Sequence, residues 1–268
     1  IGTCHLENLG DRDGVLKAKT EIFQTLKENG HIVLNGDDDK LCTVQEYKGI
    51  KPVFFGLHKD RDVYADEIVS KGLKGMECRI HLGEQSFRVL IPMPGIHMVY
   101  NALAATCVGR IYGLTIEEIK AGIESLEAIS GRFKMIETDK MLIVDDCYNA
   151  NPMSMKASLD VLHDGSGRRV AILGDMGELG ENEIALHEEV GAHAAICGID
   201  VCVCVGELSR HMAEAAEKAG SDLKVYYEKD RESLLEHLDQ YVQTGDTVLV
   251  KASHFMKFEE VVKALENL

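Results

Sequence analysis

The densest group of side chains able to do chemistry lies in the run VDDCYNANP, residues 144–152. Two carboxylates, Asp145 and Asp146, end a short apolar run, and Asn149 and Asn151 come just before a predicted helix. Parallel α/β sheets bind their ligands at the carboxyl ends of the strands, beside the start of the following helices. These residue types at this position therefore predict a ligand site on the edge of a sheet.

Two later apolar runs also end in polar residues. Asp175 lies in the run LGDMGELG, and an acid at a strand end can receive an ammonium group. Lys251 and Ser253 follow the last apolar run and reach the same sheet edge if that strand is parallel. The glycines of LGDMGELG are spaced GxxGxxG rather than the GxGxxG typical of dinucleotide sites. A nicotinamide-binding dehydrogenase domain is therefore the weaker enzyme hypothesis.

Four residues outside these runs are further candidates, and each also has an ordinary structural interpretation. His5, in a loop before a helix, and Lys19, within that helix among other charges, are typical of solvated charged surface. Asn101 lies in a small-residue helix and is either a core asparagine with a buried partner or a contact to an adenine or ribose. Arg132 lies at a predicted hinge, where it forms an interdomain salt bridge or stacks on a base or pairs with a phosphate.

The elements that must position these residues are most regular in the second half of the chain. From about residue 141 onward, five continuous apolar runs alternate with helical segments. Such runs are typical of parallel strands buried on both faces, which predicts a Rossmann-like, doubly wound α/β domain. A domain commonly has about 100–200 residues, so 268 residues favour two domains. We place the boundary near residue 130, between domains 1–130 and 131–268.

The first half is predicted to contain helices and a mixed sheet. Residues 12–29 have a helical pattern, and the strand HIVLN follows them. The alternating runs MECRIHL and QSFRVLIP predict a β-hairpin. Two further helices are predicted over about residues 97–112 and 115–128.

Composition narrows the class of protein. The chain carries 29 Lys and Arg against 45 Asp and Glu, a formal net charge of −16. This acidity argues against nucleic-acid or anionic-membrane partners, since both need a basic surface. No apolar run approaches the roughly 18 residues of a membrane span. The eight cysteines include no CxxC pair and mostly lie in apolar runs, which indicates thiols in a reducing cytoplasm.

Six motifs, in this order along the chain, resemble those of the Mur ligases. They are GTCHLENLG with KAKTEIF, PGIHMVYNALAA, GRFK, DDCYNANPMSM, LGDMGELG and KASHFMKFEEV. DDCYNANP and GDMGELG are most similar to the Mur ligases that join D-alanyl-D-alanine (D-Ala-D-Ala) to a UDP-MurNAc-tripeptide. The resemblance implies a cytoplasmic bacterial enzyme of peptidoglycan synthesis that uses ATP and Mg²⁺ and forms an amide through an acyl phosphate.

The resemblance also implies roles for individual residues. His5 and Lys19 would be catalytic and would hold magnesium, with Lys19 carbamylated so that its two oxygens meet the hard cation. The nucleotide-binding positions would be Asn101, Arg132 and Asp146, with Asn149 and Asn151 beside them. The dipeptide and the transferring group would meet at Asp175, Lys251 and Ser253.

Two features depart from the Mur ligase pattern. The family holds the phosphates of ATP with GxxGK[ST], and neither Gly-Lys-Ser nor Gly-Lys-Thr occurs in this chain. Met98 stands where relatives often carry Asn.

These departures lead to an expectation about completeness. Because the chain opens on Ile1 in motif-like sequence, we expect the C-terminal portion of such a ligase. It would comprise part of the central ATPase domain followed by the whole Rossmann-like domain. Without the motif that holds the phosphates of ATP, this chain would lack ligase activity by itself, because phosphoryl transfer depends on positioning those phosphates. The alternative is a non-catalytic nucleotide-binding module, or a subunit that pairs with a separate chain carrying the P-loop.

Overall fold

The computed structural model describes residues 1–2, 9–220 and 222–268. The chain divides into two compact units, the first spanning residues 9–127 with the first residues of the chain, the second spanning residues 128–268. Each unit has its own sheet and its own hydrophobic core. Within the described ranges, no helix combines the length and the apolar character needed to cross a membrane.

The described sheet of the first unit has five strands in sequential order. They are β1 (Val33–Asn35), β2 (Val53–Gly56), β3 (Val63–Ser70), β4 (Met76–Leu82) and β5 (Gln85–Ile91). β1, β2 and β3 pair in parallel, whereas β4 pairs antiparallel with both β3 and β5. The predicted mixed sheet is confirmed, and the predicted hairpin is present as β4 and β5.

The helix over Ile96–Ile111 packs on this sheet and forms most of the core with it. The helices described in this unit are α1 (Arg12–Thr20), α2 (Ile96–Ile111) and α3 (Ile116–Glu124). Val99 and Leu103 of α2 are fully buried among the strand residues. Thr115 begins α3 with a capping box, in which its hydroxyl and the Glu118 carboxylate each bond the other residue's backbone N–H.

The helix predicted over residues 12–29 is wrong in its length. α1 ends at Thr20, and a 3₁₀ turn over Glu21–Thr25 follows. The hydroxyl of Thr20 donates to the carbonyl of Leu16 at 2.9 Å, a bond that competes with regular helix pairing. Within α1 only Val15 is buried, so tertiary packing adds little to extend so short a helix.

The second unit contains the predicted doubly wound parallel sheet. Its strands are β6 (Lys134–Glu137), β7 (Leu142–Asp145), β8 (Arg169–Gly174), β9 (Val201–Val205), β10 (Lys224–Glu228) and β11 (Thr247–Lys251). Their spatial order is β10-β9-β8-β11-β7-β6. β7 to β11 are parallel and β6 is antiparallel to β7. The predicted class is confirmed, and β6 is absent from the prediction because its residues are mostly exposed and form no apolar run.

Helices connect the strands and cover both faces of this sheet. They are α4 (Pro152–Leu162), α5 (Glu183–Ile196), α6 (Ser209–Lys218), α7 (Arg231–Tyr241) and α8 (Glu259–Glu266). Val248 and Val250 of β11 share one core with Leu234 of α7 and Val261 of α8. Leu249, which points to the opposite face, is also fully buried. Burial on both faces is the physical cause of the continuous apolar runs.

Candidate functional site

A buried ion pair joins the ends of β7 and β11. The ammonium of Lys251, a residue only 3% exposed, lies 2.6 Å from Asp146 Oδ2. The same ammonium donates to the carbonyl of Asn149 at 3.2 Å. The pair forms because β11 lies directly beside β7. Lys251 therefore holds in place the loop that carries Asp146 and Asn149.

Asp146 is also held from two other directions. Ser158 of α4 donates its hydroxyl to Asp146 Oδ2 at 2.7 Å, and the backbone N–H of Phe133 donates to Oδ1 at 3.2 Å. Ser158 is absent from the sequence prediction, since a serine in a helix next to small residues gives no signal of its own. With Lys251, these donors fix the orientation of the Asp146 carboxylate.

The neighbouring carboxylate, Asp145, holds the segment that carries Arg132. Asp145 Oδ2 accepts from the backbone N–H of Gly131 at 2.8 Å and from the hydroxyl of Ser130 at 3.1 Å. Gly131 has a φ of +76°, and a Cβ there would lie 3.1 Å from Tyr148, so glycine suits this position. Asp145 thus holds the turn that leads into Arg132.

Arg132 stacks on an exposed aromatic ring. Its guanidinium carbon lies 4.0 Å from the centre of the Tyr148 ring, and the centres of the Tyr148 and His254 rings are 5.7 Å apart. Planar guanidinium and aromatic faces also stack on nucleobases. The chemistry of this pair therefore fits an adenine, and Tyr148 is a candidate that the sequence prediction did not include.

The loops after β7, β8 and β11 surround a cavity of about 380 Å³. Its lining residues are Tyr148, Asn149, Ala150, Asn151, Gly177, Glu178, Leu179, Ser253, His254 and Phe255. Three predicted site residues, Asn149, Asn151 and Ser253, thus share one cavity. Asn151 is at the same time the N-cap of α4, since its side chain accepts from the Ser154 N–H at 2.9 Å.

Asp175 and Ser253 meet at the ends of β8 and β11. The backbone N–H of Ser253 donates to the carbonyl of Asp175 at 3.1 Å. The Asp175 carboxylate faces the start of α6, where Oδ1 accepts from the N–H and the hydroxyl of Ser209, both at 2.7 Å. Gly206 approaches so closely that a Cβ there would lie 2.5 Å from this carboxylate. Asp175 is thus a structural anchor, and its predicted contact with an ammonium group stays a prediction.

The candidates in the first unit are exposed. Asn101 lies on the open side of α2, where its amide contacts Met98 Sδ at 3.4 Å. The alternative of a core asparagine is therefore wrong, and the alternative of a ligand contact stays open. Lys19 is exposed in the last turn of α1.

Magnesium is not accounted for by the residues that the structure describes. His5 lies outside the described residues, and among those described no group of three or more His, Cys, Asp and Glu side chains could hold a metal ion. An unmodified Lys19 ammonium has no lone pair to offer a cation. The described residues thus fit a nucleobase but do not by themselves form a magnesium site.

Two family models match the chain in succession. A model described as the Mur ligase middle domain matches residues 1–109, and one described as the Mur ligase glutamate ligase domain matches residues 131–254. The UDP-N-acetylmuramoyl-tripeptide–D-alanyl-D-alanine ligases of Bacillus subtilis and Escherichia coli are each 36% identical to this chain. These alignments cover 99% and 100% of this chain but 57% and 59% of those proteins.

Solved structures of Mur ligases are also similar to this chain. A crystal structure of MurF from Acinetobacter baumannii is similar with a TM-score of 0.86 at 31% identity, covering 100% of this chain and 58% of that one. MurF ligase from Thermotoga maritima in complex with ADP is similar with a TM-score of 0.81 at 30% identity, covering 100% of this chain and 60% of that one. The chain thus spans less than two thirds of these relatives. With two successive Mur ligase domains matched over most of its length, the chain belongs to the Mur ligase family.

Proposed function

We propose that this chain is part of an ATP-dependent ligase that joins D-Ala-D-Ala to a UDP-MurNAc-tripeptide. The observation that carries the proposal is the cavity at the carboxyl edge of the second sheet, flanked by the Arg132–Tyr148 stack. The flat stacking surface suits the base of a nucleotide. The cavity beside it, with both apolar and polar lining, suits a small peptide. The ligases to which the chain is 36% identical are named for these same peptide substrates.

The proposed reaction has two steps. A carboxylate oxygen of the tripeptide bonds to the γ-phosphorus of ATP as the bond from that phosphorus to ADP breaks, which gives an acyl phosphate. The amine of D-Ala-D-Ala then attacks the acyl carbon, the amide bond forms, inorganic phosphate leaves and the amine loses a proton to solvent. Positioning and charge neutralisation supply most of the catalysis in such phosphoryl transfers.

This chain contributes binding and orientation to that reaction. Arg132 and Tyr148 stack on the adenine, and Asp146 contacts the nucleoside. Asn101 is the nucleotide-binding residue of the first unit. The loops carrying Gly177 and Ser253 enclose the dipeptide, and Asn149 and Asn151 lie on the nucleotide side of the cavity. If Lys19 is carbamylated, its two oxygens would hold a magnesium ion, and His5 would be a further ligand. The functional domains divide near residue 130. Residues 1–130 belong to the ATPase domain, whereas residues 131–268 receive the dipeptide and also carry Arg132, Tyr148 and Asp146.

We also propose that the protein works in the cytoplasm. The seven described cysteines are all free thiols. Several are chemically quiet, since burial raises the pKa of Cys78 to about 11 and that of Cys107 to about 12. Buried thiols of this kind persist in a reducing compartment.

Phosphate release tests the proposed function. The full polypeptide that the gene encodes should release phosphate from ATP only when both the UDP-MurNAc-tripeptide and D-Ala-D-Ala are present, with L-Ala-L-Ala as the control dipeptide. Phosphate release that does not depend on the dipeptide would contradict the proposal. The 268-residue chain should be inactive, because it contains no Gly-Lys-Ser or Gly-Lys-Thr to hold the phosphates. Activity restored by a separate P-loop chain would favour the split-subunit alternative.

A further inference from the structure

His187 of α5 is a fully buried histidine whose two ring nitrogens both contact backbone. Nδ1 lies 2.7 Å from the carbonyl oxygen of Glu183, one turn earlier in the helix. Nε2 lies 2.9 Å from the backbone nitrogen of Met176. A carbonyl can only accept and an amide N–H can only donate, so the neutral ring with its proton on Nδ1 satisfies both contacts.

Met176 belongs to the loop after β8, residues 175–180, and this loop is anchored from two sides. The Met176 N–H donates to His187, and the next N–H, of Gly177, donates to Ser253 Oγ at 2.8 Å. The first anchor comes from a helix on one face of the sheet and the second from the end of β11. Two consecutive amides are therefore fixed in different directions, which sets the path of the chain beyond them.

The loop needs such anchors because its backbone conformation is unfavourable. Glu178 has a φ of +60°, in the left-handed region that residues other than glycine rarely adopt, and Gly180 has a φ of +70°. A residue held there persists only when its surroundings enforce it. Gly177, Glu178 and Leu179 line the cavity that the proposed function assigns to the dipeptide.

We infer that His187 is a positioning residue that sets one wall of the dipeptide cavity by holding the Met176 amide. The inference rests on the proposed function, because it assigns the cavity to D-Ala-D-Ala. His187 lies behind the loop and acts through it. Its effect falls on recognition of the dipeptide rather than on ATP.

Two variants separate the two hydrogen bonds of this ring. In His187→Gln the longer side chain places Oε1 near the position of Nε2, so it can still accept from Met176. In His187→Asn the shorter side chain places its amide near the position of Nδ1, so it keeps the Glu183 contact and loses Met176. His193→Gln is the matched control, because His193 lies on the same helix and pairs with Asp160 on the surface.

Substitution of His187 should change the KM values of the full polypeptide. His187→Asn should raise the KM for D-Ala-D-Ala about tenfold, equivalent to about 1.4 kcal/mol, and change the KM for ATP less than about twofold. His187→Gln should recover most of this loss, and His193→Gln should resemble the wild type. Hydrogen exchange at the Met176 amide should quicken in His187→Asn and stay slow in His187→Gln.

Each result decides a separate point. A wild-type enzyme with no dipeptide-dependent turnover would overturn the proposed function and the inference with it. An active wild type whose Asn and Gln variants share one KM for the dipeptide would overturn the inference alone. If His187→Asn does not fold, the inference can be tested on the wild-type enzyme. Adding D-Ala-D-Ala should slow hydrogen exchange at the Met176 amide, and an unchanged exchange rate would overturn the inference.

Discussion

The two units of this protein differ in where their candidate functional residues lie. In the second unit, Asp146 and Lys251 form a buried ion pair, and Asp175 is 7% exposed at the start of a helix. In the first unit, Lys19 and Asn101 are exposed on helix surfaces. The second unit thus uses the same side chains to form its structure and to shape its site.

In the first unit these two tasks fall to different residues. A partly buried polar network in this unit is centred on Asp37, which accepts from the Leu57 N–H at 2.5 Å, from Arg61 Nε at 3.1 Å and from the Tyr100 hydroxyl at 3.1 Å. Burial opposes ionisation, yet these donors lower the pKa of Asp37 below its usual range. None of these residues is a predicted site residue. In the first unit, a substitution should therefore change either the free energy of unfolding or the activity. In the second unit, a substitution of a candidate site residue should change both.

The largest effect is expected from Lys251→Met. The change leaves the Asp146 carboxylate without its cation in a largely buried place, which should lower the free energy of unfolding by about 3–5 kcal/mol. Urea unfolding of the 268-residue chain measures this, with the exposed Lys263→Met in α8 as control. A loss no larger than that of the control would mean that the ion pair contributes little, and the contrast between the units would fail.

Tyr100→Phe should have an intermediate effect and leave the candidate residues unchanged. Loss of the hydrogen bond to Asp37 should lower the free energy of unfolding by about 0.5–1.5 kcal/mol. Burial, with the Asp37 charge, raises the pKa of Tyr100 to about 12. The unfolded chain loses this proton near pH 10 and the folded chain near pH 12, so wild-type stability should fall across that range. Between pH 10 and pH 12 the free energy of unfolding of the variant should fall less steeply than that of the wild type. Equal slopes against pH would mean that other groups cause the loss of stability at alkaline pH.

Lys19→Ala should have the smallest effect on stability, within about 0.5 kcal/mol, because the side chain is exposed. Dipeptide-dependent phosphate release by the full polypeptide should nevertheless be lost, since Lys19 is proposed to supply oxygens for magnesium. Lys17→Ala, two residues away on the same helix, is the control and should keep activity. Retained activity in Lys19→Ala would remove this lysine from the proposed site.

The sequence predicted the second unit better than the first for a physical reason. Strands buried on both faces, such as β8 and β9, need continuous apolar runs, which are visible without a structure. β6 has mostly exposed residues and no such run, so the pattern does not distinguish it from a loop. Likewise, the end of α1 at Thr20 depends on how little of that helix is buried.

The site was predictable in outline only. Strand-end rules place Asp146 and Lys251 on one sheet edge, but their pairing depends on β11 lying between β7 and β8, which sequence order does not show. Asp175 and Asn151 also stabilise helix starts, a role that becomes visible only with their partners. His187 could have been noticed as a lone polar residue on the buried side of α5.

The central position of β11 has a consequence for synthesis on the ribosome. β11 is the last strand in the chain, yet it pairs with both β7 and β8. Until residues 247–251 leave the exit tunnel, β7 and β8 each have an open edge where a neighbour is missing, and unpaired edges invite association with other chains. The five described strands of the first unit are paired in sequential order, so each can pair with the strand made just before it. Nascent chains of this protein should therefore depend on chaperones chiefly between the emergence of β8 and that of β11, when the second sheet is still split in two.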